Sequence, residues 1–194
     1  MILFDYFKGT LPEFPAGKPL FIFASHFHAD HYAPVIFQLG EKRENVFYIL
    51  SKEIGKKIPE EYRKRYKDRI RLVKAGERFC LNISEESLIV ETFHSTDEGV
   101  AFWLSCEGKE IYHAGDLNNW WWEGEDMAWN RNMAASYKQE MKKLSGRTAD
   151  LAFIPVDPRQ EQWFYLGAAG FMEQADAKWI FPMHFWKIIR LYQN

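Results

Sequence analysis

An apolar run, PLFIFAS (19–25), passes without a linker into HFHADH (26–31). The run has the composition of a buried β-strand. The six residues after it must therefore leave a sheet edge through a loop. Into that loop the chain puts His26, His28, Asp30 and His31, which include three of its six histidines. Imidazole and carboxylate are the donors that hold a divalent cation such as zinc. Side chains two apart on an extended segment point the same way, which lets His26 and His28 converge on one ion. Asp30 and His31 then lie past a bend, in reach of a second ion.

Other strand ends supply further donors. SLIVETF (87–93) runs into His94, and AKWIFP (177–182) runs into His184. VAFWLSCEGKEIYHA (100–114) reads as a hairpin turning at Glu107-Gly108-Lys109, with Asp116 just past its second strand. Further strand-like runs are ILFDYF (2–7), NVFYIL (45–50), RIRLVK (69–74) and LAFIPV (151–156). Pro34 suits the first turn of a helix over 33–39. Met133, Tyr137, Met141 and Leu144 give a helix over 125–144 one apolar face, and another helix is expected over 161–175. Strands come first and mix with helices later, so stacked sheets flanked by helices are expected.

Composition narrows the class without naming a partner. The 194 residues suit one domain, and 47% hydrophobic with 27% charged residues is ordinary for a folded protein. Cys80 and Cys106 stand in no metal-binding spacing, which argues against a disulfide framework. The opening MILFDYFKGT lacks a basic leader, and no apolar run approaches the roughly 20 residues of a membrane span. A cytoplasmic protein without membrane contact is the expectation. Residues 52–78 carry eleven basic and five acidic side chains, a local charge of +6 in a chain of net charge −2. Glu60 and Glu61 follow Pro59, with Arg and Lys further on, the charge order of a solvated helix. Nucleic acid is therefore not the expected partner.

The ordered set HxHxDH, a strand-end His, Gly-Asp and a final His resembles the metallo-β-lactamase superfamily. Within it, FHSTDEGVAFWL, IYHAGDLNNWWW and FPMHFW are similar to the branch related to ascorbate-6-phosphate lactonase. The likeness runs from FDYFKG to His184. It implies an α/β (α+β) four-layer αββα sandwich with two divalent metals in a cleft at one sheet edge. His26, His28 and His94 would hold one metal, Asp30, His31 and His184 the second, and Asp116 would bridge them. With no cysteine near these motifs, a β-lactamase with a thiolate ligand is not expected. Zinc is the first choice, manganese or iron the alternatives.

Two ions about 3.5–4 Å apart can share a water and make it a hydroxide near neutral pH, for attack on a carbonyl or phosphoryl centre. Asp30 and Asp116 would orient that water or accept its proton. The resemblance thus implies a hydrolase of a small lactone, ester or phosphorylated metabolite. The alternatives are a phosphodiesterase or nuclease, and a catalytically silent metal-binding or assembly module. His113 is expected to support the ligands or the core. Asp97 would orient a ligand or cap its loop. Trp120-Trp121-Trp122 would wall the cleft, pack on the next helix or meet another subunit. Against that branch the chain starts at the FDY strand and ends ten residues past His184. It reads as one domain, 1–194, shortened at both ends and lacking outer N-terminal strands. Sheet edges so exposed would invite a second copy, a homo-oligomer.

Overall fold

The computed structural model describes residues 1–15, 17–83 and 86–185, with the side chains of residues 83 and 86 left aside. Trp186 of the FPMHFW phrase lies outside the described residues. Strands β1 (Ile2–Phe4), β2 (Leu20–Ala24), β3 (Val46–Ser51) and β4 (Ile70–Val73) form a parallel sheet in that order. All five residues of β2 are buried, as a parallel strand covered on both faces must be. The second sheet holds β5 (Arg78–Ile83), β6 (Glu86–His94), β7 (Val100–Cys106), β8 (Lys109–His113), β9 (Thr148–Pro155) and β10 (Asp176–Met183). Its order is β10-β9-β8-β7-β6-β5. The strands from β5 to β8 are an antiparallel meander, and β8, β9 and β10 run parallel.

Three apolar clusters show how these sheets are layered. Phe21, Phe23 and Ile49 of the first sheet meet Val90, Phe102 and Leu104 of the second. On the other face of the first sheet, Leu20, Ile22, Tyr48 and Leu50 pack with Ile36 and Phe37 of α1 (Ile36–Glu41). Tyr62 of α2 (Glu60–Arg65) joins that cluster from its rim. On the outer face of the second sheet, Trp103, Tyr112 and Ala152 pack with Tyr137 and Met141 of α3 (Met127–Lys142) and Phe171 of α4 (Leu166–Met172). The order is helix, sheet, sheet, helix. β2 shows the cause: its period-two alternation sends Leu20 and Ile22 to the helices, Phe21 and Phe23 to the facing sheet. Each such side chain contributes about 1.5–3 kcal/mol on burial.

The sequence expectations need four adjustments. β1 stops at Phe4, because Asp5 takes φ 45° and turns the chain out of the sheet. α1 begins at Ile36, so Pro34 lies ahead of the helix instead of in its first turn. The hairpin turn is the two residues Glu107 (φ 50°) and Gly108 (φ 70°), whose paired positive φ values match the twist of the strands, and Lys109 already belongs to β8. β5 was not expected at all. Within the +6 segment, α2 is solvated as expected, with no buried residue and acidic-to-basic order along its length. No helix among the described residues is long and apolar enough to cross a membrane.

Strand direction decides where the polar residues gather. β6 and β8 are both antiparallel to β7, and β9 and β10 run with β8, so the C-terminal ends of β6, β8, β9 and β10 share one edge. The Val100 N–H donates to the Ser25 carbonyl (3.0 Å), which ties the end of β2 to that edge. Gly99 and Gly115 make this approach possible. A Cβ on Gly99 would strike the Ser25 carbonyl, one on Gly115 would stand 2.7 Å from the Ser25 Cβ, and both glycines have positive φ.

Candidate metal centre

Immediately beyond these strand ends lie Asp5 (after β1), His26 (β2), Asp116 (β8), Asp157 (β9) and His184 (β10). The HFHADH loop doubles back on itself: the N–H groups of His31 and Tyr32 both donate to the His28 carbonyl, at 3.0 and 2.8 Å. Buried Tyr32 anchors the turn in the helix-facing core. His26 and His28 therefore face one side of the bend, Asp30 and His31 another.

Two donor sets result, His26–His28–Asp97–Asp116 and Asp30–His31–His184, and within each set one donor atom per residue lies within 4.8 Å of the others. Asp116 spans them. Its Oδ2 is 3.5 Å from His26 Nε2, while its Oδ1 is 3.2 Å from His31 Nε2 and 2.8 Å from His184 Nε2. Asp30 Oδ2 is 3.5 Å from His31 Nε2, and His28 Nδ1 is 2.9 Å from His26 Nε2. Six of the seven residues expected as ligands are brought together.

His94 is not among them. It is exposed at the end of β6, where its N–H donates to Glu140 (3.2 Å), and it lines a second cleft with Trp129, Ser136 and Glu140 of α3. Asp97 stands where His94 was expected, 3.8 Å from His28. The β6–β7 loop carries it there, pinned by Thr96, whose hydroxyl donates to the Asn118 carbonyl (2.6 Å) and accepts from the Asn118 N–H (3.0 Å).

Behind the donors lies a layer of support that the sequence did not reveal. Asp5 accepts from the Ser25 N–H and hydroxyl (2.7 Å each) and lies 2.6 Å from His31 Nδ1. Because the Ser25 hydroxyl is donated to Asp5, its oxygen is left to accept from His26 Nδ1–H (3.0 Å). Asp157 Oδ2 lies 3.6 Å from His184 Nδ1. Each of these three imidazoles thus has a polar partner at Nδ1 and turns Nε2 towards Asp116, the tautomer a metal ligand needs. His113 is buried and belongs to neither set. It accepts the Gly115 N–H at Nδ1 (3.1 Å), stacks on Phe4 (4.5 Å) and presents Nε2 to Asp5 at 3.9 Å. The only hint of Asp5 in the sequence was a carboxylate breaking an apolar run, and that of Asp157 was an Asp-Pro just after a strand.

The residues fit divalent cations. Donors about 2.0–2.2 Å from a tetrahedral zinc stand roughly 3.3–3.5 Å from one another, close to the separations around Asp116. Charge points the same way. Burial opposes a charged His184, yet its contacts with Asp116 and Asp157 raise its pKa to about 9. Burial likewise opposes a charged His31, and Asp5 and Asp116 outweigh it and raise the pKa. Carboxylates facing imidazole lone pairs demand positive charge here, which a proton or a cation can supply. His26 differs: burial and the neighbouring His31 lower it to about 4, so it stays a neutral donor.

The donors open into a cleft of about 470 Å³ lined also by Trp120, Trp122, Trp129, Met133 and Arg159. Trp120 is tied to the ligand loop through its indole N–H, which donates to the Asp116 carbonyl (2.9 Å). Trp120 and Trp122 stack in parallel, whereas Trp121 turns to Trp163. No residue of the basic segment 52–78 lines this cleft.

No family model and no curated protein matches the chain. Solved structures are similar to it at low identity. Human tRNase Z, short form, shares 11% identity over 85% of this chain and 76% of that one, with a TM-score of 0.43. CmlA, a diiron β-hydroxylase from Streptomyces venezuelae, shares 13% over 83% of this chain, with a TM-score of 0.42. The chain spans 31% of CmlA's length. The metallo-β-lactamase SMB-1, bound to 2-mercaptoethanesulfonate, shares 16% over 69% of this chain and 56% of that one, with a TM-score of 0.41. At these identities and TM-scores the likeness assigns neither a family nor a chemistry to this chain.

Proposed function

We propose that the chain is a metal-dependent hydrolase of the metallo-β-lactamase superfamily that acts on a small ester, lactone or phosphorylated metabolite. One observation carries the reading: strand ends remote in sequence deliver two sets of nitrogen and oxygen donors that share Asp116. Divalent cations held there would supply Lewis-acid polarisation and make water acidic enough to serve as a nucleophile near neutral pH. His26, His28, Asp97 and Asp116 would hold one, and Asp30, His31 and His184 the other, with Asp116 reaching both.

The chain's own part is orientation and proton handling. Asp5 and Asp157 fix the rings of His31 and His184, and Ser25 fixes that of His26. Asp30 and Asp97 are the carboxylates exposed to the cleft, placed to accept a proton from an attacking water. Trp120 and Trp122 restrict solvent on one wall. A cleft of about 470 Å³ is the size of a small-molecule site, and this favours a metabolite over a polymer.

The test is reconstitution with zinc, manganese or iron, elemental analysis, and assay against lactones, carboxylic esters and phosphate esters. Two ions per chain and turnover that Asp116→Ala abolishes with the fold preserved are expected. Fewer than one ion per chain after loading with each metal would overturn the reading.

A further inference from the structure

One wall of the cleft has an ordered composition that metal binding does not explain. The His184 ring lies 5.7 Å from the Trp120 ring, Trp120 lies 5.8 Å from Trp122 with their planes 4° apart, and the Arg159 guanidinium carbon lies 5.9 Å from the Trp122 ring. Asp157 closes the circuit. It accepts from Arg159 Nε (2.9 Å) and Nη2 (2.5 Å) and stands 3.6 Å from His184. A π-surface therefore runs from a metal donor at one end to a cation at the other.

Arg159 is placed to meet a ligand. Its side chain is 51% exposed although it lines the cleft, and its carboxylate partner is fully buried. Asp157 thus sets the direction of the guanidinium without covering it. The other ionisable groups of the lining are carboxylates and imidazoles: Asp30, Asp97, Asp116, His28 and His184. An oxyanion entering this cleft would be repelled by the carboxylates everywhere except at the metals and at Arg159.

From this arrangement, and resting on the hydrolase reading above, we propose that the substrate carries a flat unsaturated ring laid against Trp122 and an oxyanion group paired with Arg159, while its scissile ester faces the donor sets. The shared chemistry is an aromatic or heteroaromatic acid whose anion is a carboxylate or a phosphate. Trp122, backed by the buried Trp120, supplies the stacking surface, and Arg159 supplies the charge-assisted hydrogen bonds.

Calorimetric titration of the metal-loaded full chain tests this with uncleavable probes: 2-naphthoate, 2-naphthylphosphonate, neutral 2-naphthamide and ring-saturated cyclohexanecarboxylate. The naphthyl anion should bind about tenfold or more tightly than 2-naphthamide, the effect of a charged hydrogen bond. Arg159→Met should remove that preference, and Arg159→Lys should keep part of it. Trp122→Leu should weaken 2-naphthoate by roughly 2- to 10-fold and leave cyclohexanecarboxylate nearly unchanged. A phosphonate tighter than the carboxylate marks a phosphorylated substrate, and the reverse order marks a carboxylic acid. Equal binding of 2-naphthoate and 2-naphthamide overturns the proposal. So does a preference for the anion that survives Arg159→Met, because the carboxylate would then sit on the metals alone. If Arg159→Met fails to fold around the buried Asp157, Arg159→Gln, which keeps an N–H donor for that carboxylate and removes the charge, is read in the same way. Binding is read without turnover, so a chain that takes these anions yet hydrolyses nothing would sink the hydrolase reading separately.

Discussion

In the Asp30–His31–His184 set both imidazoles are nearly buried, with side chains 6% and 7% exposed, and each has a carboxylate at its Nδ1. The His26–His28–Asp97 set is built otherwise. His26 is fully buried and leans on a neutral hydroxyl, while His28 and Asp97 are 41% and 43% exposed. The first of these arrangements is held rigid from behind, and the second has one fixed donor and two that solvent can move. Asp116 belongs to both. The contrast teaches that the two halves should differ in affinity and in what disturbs them.

Asp116→Ala should have the largest effect, because it removes a donor from both sets at once. Metal content below one ion per chain and hydrolysis at background are expected, measured by elemental analysis and assay beside a circular-dichroism check of the fold. If one ion stays fully bound, the sets do not share this carboxylate.

Asp5→Ala comes next and should act on the rigid half. The Ser25 N–H and His31 Nδ1–H would lose a buried acceptor, costing about 1–3 kcal/mol each. Affinity for the ion on the His31 side should fall about 10- to 100-fold, and that on the His26 side less, because there Asp5 acts only through the Ser25 hydroxyl. Metal titration and denaturant unfolding measure the two consequences, and equal weakening of both ions would erase the distinction drawn here.

The third prediction concerns pH in chelator-treated protein. His184 moves from 6.5 in the unfolded chain to about 9 in the folded one. Its stabilising contribution is therefore complete below pH 6.5 and disappears as pH rises through about 9, by about 3 kcal/mol at most. Unfolding midpoints taken from pH 6 to pH 10 should decline across this interval, and Asp157→Asn should flatten the decline. Metal-loaded protein should not show it.

The smallest effects belong to the exposed half. Asp97→Ala should weaken one ion by roughly tenfold, and His94→Ala by less than about threefold, in keeping with their places in and out of the donor set. Loss on His94→Ala equal to that on Asp97→Ala would show that the imidazole ending β6 swings into the set.

The donors were legible in the sequence wherever they came bunched or at the end of an apolar strand: His26, His28, Asp30 and His31 in one loop, Asp116 after the hairpin, His184 after the last strand. Their grouping depends on which strand ends coincide, and periodicity does not report that. His94 and Asp97 illustrate the limit, because one ends β6 and the other lies three residues on, and only the path of the loop, fixed by Thr96 and Asn118, selects between them. Asp5 escaped notice for a related reason. Its partners, Ser25 and His31, lie 20 and 26 residues away, so nothing local signals the contact. β5 was overlooked because Arg78, Cys80 and Asn82 face outward between Phe79 and Leu81, leaving too few apolar residues to mark an edge strand. Stacked sheets flanked by helices were legible from the order of strand-like and helical runs, whereas the four layers were expected only from the resemblance to the metallo-β-lactamase superfamily.

β10 bounds the second sheet, and its Trp179 and Phe181 are 67% and 47% exposed. The residue after it is His184, whose place depends on Met183 pairing with Pro155 of β9. A slip of one residue there would turn the imidazole to the opposite side of the sheet. The molecule therefore hangs its last candidate donor on a poorly sheltered rung, so gentle warming should fray that half of the centre while the interior between the sheets is still closed.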